Sequence, residues 1–176
     1  MKKVIVVIST YNGAKYIERQ LDSIFEQISV KVEAFVRDDC SKDNTVEVVQ
    51  KYAQNHPQNK IVIIKGENVG FAKSFWIGLS KCGDADYYAF ADQDDVWKPN
   101  KLIRCIDAMR GGEQVPQLAY CKMQRSDIQL KRLPIRQKTV FQKDSIPVFQ
   151  KDRRLFSKRT VFLFSNKTED CFIIII

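Results

Sequence analysis

The chain has 176 residues, of which 44% are hydrophobic and 28% charged, enough for one domain with a real core and too few for two. Its net charge of +8 invites a nucleic-acid reading, but residues 1–116 carry 16 Lys or Arg against 16 Asp or Glu, while residues 117–176 carry 13 against 5. The excess sits wholly in the last third, so no nucleic-acid partner is expected, and no segment reaches the roughly 18 apolar residues of a membrane-spanning helix.

The predicted elements alternate from the start. Val4 to Ile8 is a continuous apolar run, the pattern of a strand buried on both faces. Tyr11-Asn12-Gly13 marks a turn, and Ile17, Leu21, Ile24 and Ile28 then recur at helical spacing. Val32 to Val36 is a second strand ending in Arg37-Asp38-Asp39. Asn44 and Glu47 have the spacing of a capping box before a helix with Val46, Val49 and Ala53 on one face, and His56-Pro57 ends it. Ile61 to Ile64 is a third strand. Asn68-Val69-Gly70 leads into a helix carrying Ala72, Phe75, Leu79 and Cys82. Tyr87 to Ala91 is a fourth strand, followed by Asp92-Gln93-Asp94-Asp95 and a helix opening near Pro99, with Leu102, Ile106 and Met109 on its inner face. Leu118 to Met123 reads as one more strand, and beyond it no stable period is found.

Four successive βα units predict an α/β fold, an open and mostly parallel sheet with helices on both faces. Such sheets bind ligands beyond the carboxyl ends of their strands, where the polar clusters Ser9 to Asn12, Asp38-Asp39 and Asp92 to Asp95 all lie. Asp92, Asp94 and Asp95 crowd three carboxylates into four residues, and a hard cation such as Mg2+ or Mn2+ would relieve their repulsion while leaving positions for phosphate oxygens. The bland alternative is that Asp94 or Asp95 caps the next helix. Asp38 and Asp39 have two open readings, an acceptor for the ring N–H of uracil or thymine and turn chemistry with Ser41 and Asp43. Trp97 reads as core and the single histidine, His56, as a helix-end residue. The five cysteines are scattered and never spaced C-x-x-C, which fits a reduced, cytoplasmic setting.

Ser9-Thr10-Tyr11-Asn12, Asp38-Asp39-Cys40-Ser41-Lys42-Asp43-Asn44-Thr45, Glu67-Asn68-Val69-Gly70 and Ala91-Asp92-Gln93-Asp94-Asp95-Val96-Trp97-Lys98-Pro99 together resemble glycosyltransferase family 2, in the family's order and spacing, over about residues 1–125. The resemblance implies a GT-A (Rossmann-like) fold and an inverting, metal-dependent transferase. It would take a sugar from a UDP- or dTDP-sugar to a glycan or lipid-linked acceptor in bacterial cell-surface polysaccharide synthesis. By position, Asp39 would meet the base, Thr10 and Tyr11 would line the nucleotide pocket, and Asp92 and Asp94 would form the D-x-D motif, with Asp94 the direct metal ligand. The expected setting is the cytoplasm, at the inner face of the cell membrane, with peripheral membrane contact.

The organisation expected is a nucleotide-sugar-binding domain over residues 1–125 and a basic tail over 126–176. The tail departs from the family's pattern. All seven glycines lie at or before Gly112, Glu169-Asp170 is its one acidic pair, and it ends in Ile173 to Ile176. Two readings stand, an out-of-frame tail and a divergent basic acceptor or membrane segment. No general base is assigned, and the alternative function is an inactive remnant that holds nucleotide and metal.

Overall fold

The computed structural model describes residues 1–109, 117–122, 126–127, 129–131 and 170–175. Strands β1 (Lys2–Thr10), β2 (Val30–Asp38), β3 (Lys60–Lys65) and β4 (Tyr87–Asp92) form a wholly parallel sheet in the order β3-β2-β1-β4. The crossovers are α1 (Ile17–Phe25), α2 (Thr45–Asn55) and α3 (Phe71–Lys81), and α4 (Lys101–Ala108) follows β4. This is the predicted α/β architecture. β2 and β3 are added on one side of β1 and β4 on the other, so the order of strand addition switches at β1, which places a crevice at the carboxyl ends of the parallel neighbours β1 and β4.

The apolar runs make the sheet's two faces. Val4, Val6 and Ile8 point to one side, where Ile17, Leu21 and Ile24 of α1, Val49 and Tyr52 of α2 and Leu102 and Cys105 of α4 cover them. Ile5 and Val7 point to the other, against Phe35, Phe75 and Phe90. Each fully buried Leu or Ile contributes about 1.5–3 kcal/mol, so β1, covered on both faces, is the thermodynamic centre of the domain.

Several local expectations change. Ile28 is exposed, because α1 stops at Phe25 and the chain turns through Ser29, whose φ is 64°. The Asn44–Glu47 capping box does not form; Asp43 accepts from the Thr45 N–H at 3.0 Å instead, and Asn44 makes no side-chain cap. Helix α4 opens at Lys101, two residues after Pro99. Trp97 is core, as expected, and His56 ends α2 with its ring on Tyr52 at 4.1 Å between centroids.

The expected strand at Leu118 to Met123 forms, and the element after it differs most from the expectation. Strand β5 (Gln117–Lys122) pairs antiparallel with β6 (Asp170–Ile175), with Leu118 opposite Ile174 and Lys122 opposite Asp170. The terminal isoleucine run, in which no further element was expected, is therefore a strand, and the acidic Asp170 opens it. Most of the basic tail expected over 126–176, with its clusters at Lys151 to Arg154 and Lys158-Arg159, lies outside the described residues.

Candidate donor-binding cleft

The rim of the sheet is laced together before any ligand arrives. Backbone amides of the loop after β1 donate to side chains of the loop after β2 and of the first residue of α2: Asn12 to Ser41 Oγ at 2.9 Å, Gly13 to Thr45 Oγ1 at 2.8 Å, and Ala14 to Asp43 Oδ2 at 3.1 Å. In return Lys42 N–H donates to Asn12 Oδ1 at 2.8 Å. Thr10 and Asp38 close the base of this lacing, the threonine hydroxyl donating to Asp38 Oδ1 at 3.0 Å and Ser41 N–H to Asp38 Oδ2 at 2.9 Å. Short polar residues are needed here because each satisfies a loop N–H that has no strand partner.

Asp39 lies one residue beyond β2 and is 3% exposed. Val69 N–H donates to its Oδ1 and Gly70 N–H to its Oδ2, both at 2.9 Å, and Arg37 forms an ion pair with Oδ1. Gly70 has a φ of 81°, a left-handed conformation that glycine adopts without strain. Arg37, equally buried, also donates to Ser74 Oγ at 2.8 Å and to the Glu67 carbonyl at 2.9 Å. Burial alone would raise the Asp39 carboxyl, but the Val69, Arg37 and Gly70 donors outweigh it and hold the group below its ordinary value, hence ionised.

The acidic loop after β4 is fixed from two sides. The Gln93 amide pairs with the Tyr11 backbone, accepting from its N–H at 2.8 Å and donating to its carbonyl at 3.0 Å. Gly13 leaves the room for this; a Cβ there would lie 2.1 Å from Gln93 Oε1. Behind the loop, Gln27 donates to the Lys98 carbonyl at 2.7 Å and accepts from Leu102 N–H at 2.9 Å, while Trp97 N–H donates to Ser23 Oγ at 3.0 Å. Asp92 and Asp94 are exposed in front. Desolvation at the cleft wall, followed by the Asp95 and Asp94 charges, pushes the Asp92 carboxyl up to about 6. Among the described residues no three acidic, cysteine or histidine side chains are disposed around one point as a metal cage. Two hard oxygen ligands beside open space still fit Mg2+ or Mn2+, which are ordinarily held by one or two carboxylates together with substrate phosphates.

These parts border one cleft of about 350 Å³, walled by Ser9, Tyr11, Asp39, Asn68, Gly70, Phe71, Asp92, Gln93 and Asp94. Of the residues singled out from sequence, Tyr11, Asp39, Asp92 and Asp94 meet here. Thr10 does not: it is fully buried with its hydroxyl committed to Asp38, so it braces the rim and does not line the pocket. Arg37, Gln93, Gln27 and Ser74 were not assigned from sequence, and a basic Arg37 directly after the apolar Phe35-Val36 and before Asp38-Asp39 was the one signal available for them.

The family model for glycosyl transferase family 2 matches residues 5–167. The chain belongs to that family. The match runs past the 1–125 span carried by the motifs. Among curated proteins it is 35% identical over 105 residues to the dTDP-rhamnosyl transferase RfbG of Shigella flexneri, covering 58% of this chain and 36% of that protein. It is 33% identical over 106 residues to the putative teichuronic acid biosynthesis glycosyltransferase TuaG of Bacillus subtilis, covering 60% and 41%. The chain thus spans well under half the length of these relatives. Among solved structures, residues 1–349 of S. aureus TarS with UDP superpose with a TM-score of 0.57 at 27% identity, covering 76% of this chain and 38% of that one. The mannosyltransferase PcManGT from Pyrobaculum calidifontis, in complex with GDP-Man and Mn2+, gives 0.58 at 27% identity, covering 64% and 33%. The sheet and helices are those of a GT-A glycosyltransferase.

Proposed function

We propose that the cleft holds the donor of an inverting, metal-dependent glycosyl transfer, a UDP- or dTDP-sugar. The observation that carries this reading is the shared cleft: an ionised acceptor, Asp39, and an acidic pair, Asp92 and Asp94, open into one space. Asp39 would accept the base N–H, the exposed Tyr11 ring would cover the nucleoside, and Asp92 and Asp94, with Asp94 as direct ligand, would hold Mg2+ or Mn2+ against the diphosphate. When bound, the cation supplies neutralisation of the charge that grows on the leaving diphosphate. The chain's own part is positioning. The Gln93–Tyr11 pair keeps the acidic loop at a fixed offset from the nucleoside wall, and the buried Arg37–Asp39 pair fixes the base end. An acceptor hydroxyl would then attack the anomeric carbon from the side opposite the diphosphate as the carbon–oxygen bond to the diphosphate breaks, its proton passing to a base not among the residues assigned above, and the centre would invert.

The name of RfbG, a dTDP-rhamnosyl transferase, supports the dTDP-sugar donor, and that of TuaG, a putative teichuronic acid biosynthesis glycosyltransferase, supports a glycan acceptor, with a lipid-linked glycan included in the proposal. The cationic excess of residues 117–176 supports contact with an anionic membrane face on the cytoplasmic side. Among the described residues no helix is long and apolar enough to cross a membrane. The test is calorimetric titration with UDP and dTDP in Mn2+ and in EDTA. Binding that depends on the metal is expected; equal affinity in both buffers refutes the role of the acidic pair.

A further inference from the structure

The hydrogen bonds to Asp39 are uneven. Among the described residues, Oδ1 accepts from both Arg37 and Val69 N–H, and Oδ2 accepts from Gly70 N–H alone. A carboxylate oxygen offers two lone-pair directions, so Oδ1 is saturated and Oδ2 keeps one acceptor. Asp39 walls the cleft, so that remaining acceptor is the one a ligand can use. Arg37 is what fills Oδ1. It is 2% exposed, it is held by Ser74 Oγ and the Glu67 carbonyl, and it does not line the cleft itself.

We propose that Arg37 is a positioning residue that sets the base selectivity of the cleft: by occupying Asp39 Oδ1 it leaves a single acceptor, suited to the lone imide N–H of uracil or thymine and not to guanine. The proposal rests on the reading of Asp39 as the base contact. Uracil and thymine present one ring N–H flanked by two carbonyl oxygens. Guanine presents its ring N–H and its amino group side by side, a pair that matches both oxygens of a free carboxylate. Against Asp39 only the first of these donors finds a lone pair, and the second faces an oxygen already filled by Arg37 and Val69. A donor buried without a partner is costly, so guanine is rejected by arithmetic of lone pairs and not by size.

Calorimetry with UDP and GDP in the presence of Mn2+ tests this. The wild-type chain should bind UDP at least about tenfold more tightly than GDP, the ratio that one unsatisfied buried donor produces. Arg37→Met, which keeps the stem and removes the donors, should bring the two affinities within about threefold of each other by freeing one acceptor position on Oδ1, the other remaining with Val69 N–H. Arg37→Lys keeps a cation beside Oδ1 and should retain the wild-type preference. A bracing role alone would weaken UDP and GDP in parallel, and an unchanged ratio in a folded Arg37→Met chain overturns the proposal. So does a relaxed ratio of the same size in Arg37→Lys. The wild-type ratio needs no variant to fold, and a wild-type chain that binds GDP as tightly as UDP also overturns it. Failure of both nucleotides to bind the wild type would instead refute the donor-binding reading on which the assignment stands.

Discussion

Replacing Asp39 by alanine should be among the most damaging single changes in the domain, quite apart from any ligand. The substitution strands three donors at once: Val69 N–H, Gly70 N–H and the Arg37 guanidinium. The guanidinium is the expensive one, because at 2% exposure it has no access to bulk water. Breaking one side of a buried ion pair typically costs about 3–5 kcal/mol. Remaining bonds from Arg37 to Ser74 and Glu67 relieve part of that, so a loss of about 3 kcal/mol is expected for Asp39→Ala. Urea unfolding followed by circular dichroism measures it. The pH dependence has a defined sign. The folded Asp39 carboxyl lies below its ordinary value of 3.8, so its stabilisation is fully present above that pH and is lost as pH falls toward the depressed folded value. The stability gap between wild type and Asp39→Asn should therefore be constant near neutrality and shrink below about pH 4. A loss under about 1 kcal/mol for Asp39→Ala, or a gap that widens in acid, would refute the account of a buried, ionised pair.

Other substitutions separate bracing from binding. Thr10→Val should cost about 1 kcal/mol of stability through the lost bond to Asp38 and leave UDP affinity unchanged, as read by parallel denaturation and calorimetry. Gly13→Ala should push the Gln93 amide off Tyr11, so nucleotide affinity in Mn2+ falls while the thermal midpoint moves little. Gln27→Leu removes the partners of the Lys98 carbonyl and Leu102 N–H and should cost about 1–3 kcal/mol in urea unfolding.

The sheet was legible because its signal is local. Five consecutive apolar residues from Val4 to Ile8 admit few alternatives, and the polar residues that follow each strand mark the rim by position alone. Helix ends were less legible because they are settled by partners distant in sequence. Ile28 keeps the helical spacing of α1, yet its N–H goes to the Pro99 carbonyl at 2.9 Å and the helix has already ended. Asn44 and Glu47 have a capping spacing, but Asp43 reaches the helix N–H first. Tyr11, taken from the family resemblance, and Asp39, Asp92 and Asp94, whose carboxylates also stood out by their chemistry, do line one cleft. Arg37, Gln93 and Gln27 act through contacts 2 to 82 residues away, and only the folded chain shows what they hold. Strand β6 escaped because an isoleucine run at a chain end carries no period of its own; its pairing with β5 supplies the order.

One nucleotide that bridges the Asp39 end of the cleft and the acidic pair makes metal and nucleotide strengthen each other. Titration of Mn2+ followed by electron paramagnetic resonance, with and without UDP, measures this directly. Reciprocity requires UDP to tighten Mn2+ by the same factor by which Mn2+ tightens UDP. Strong coupling is expected in the wild type and its loss in Asp94→Ala. Mn2+ affinity that is indifferent to UDP, or coupling that survives in Asp94→Ala, would contradict this bridging.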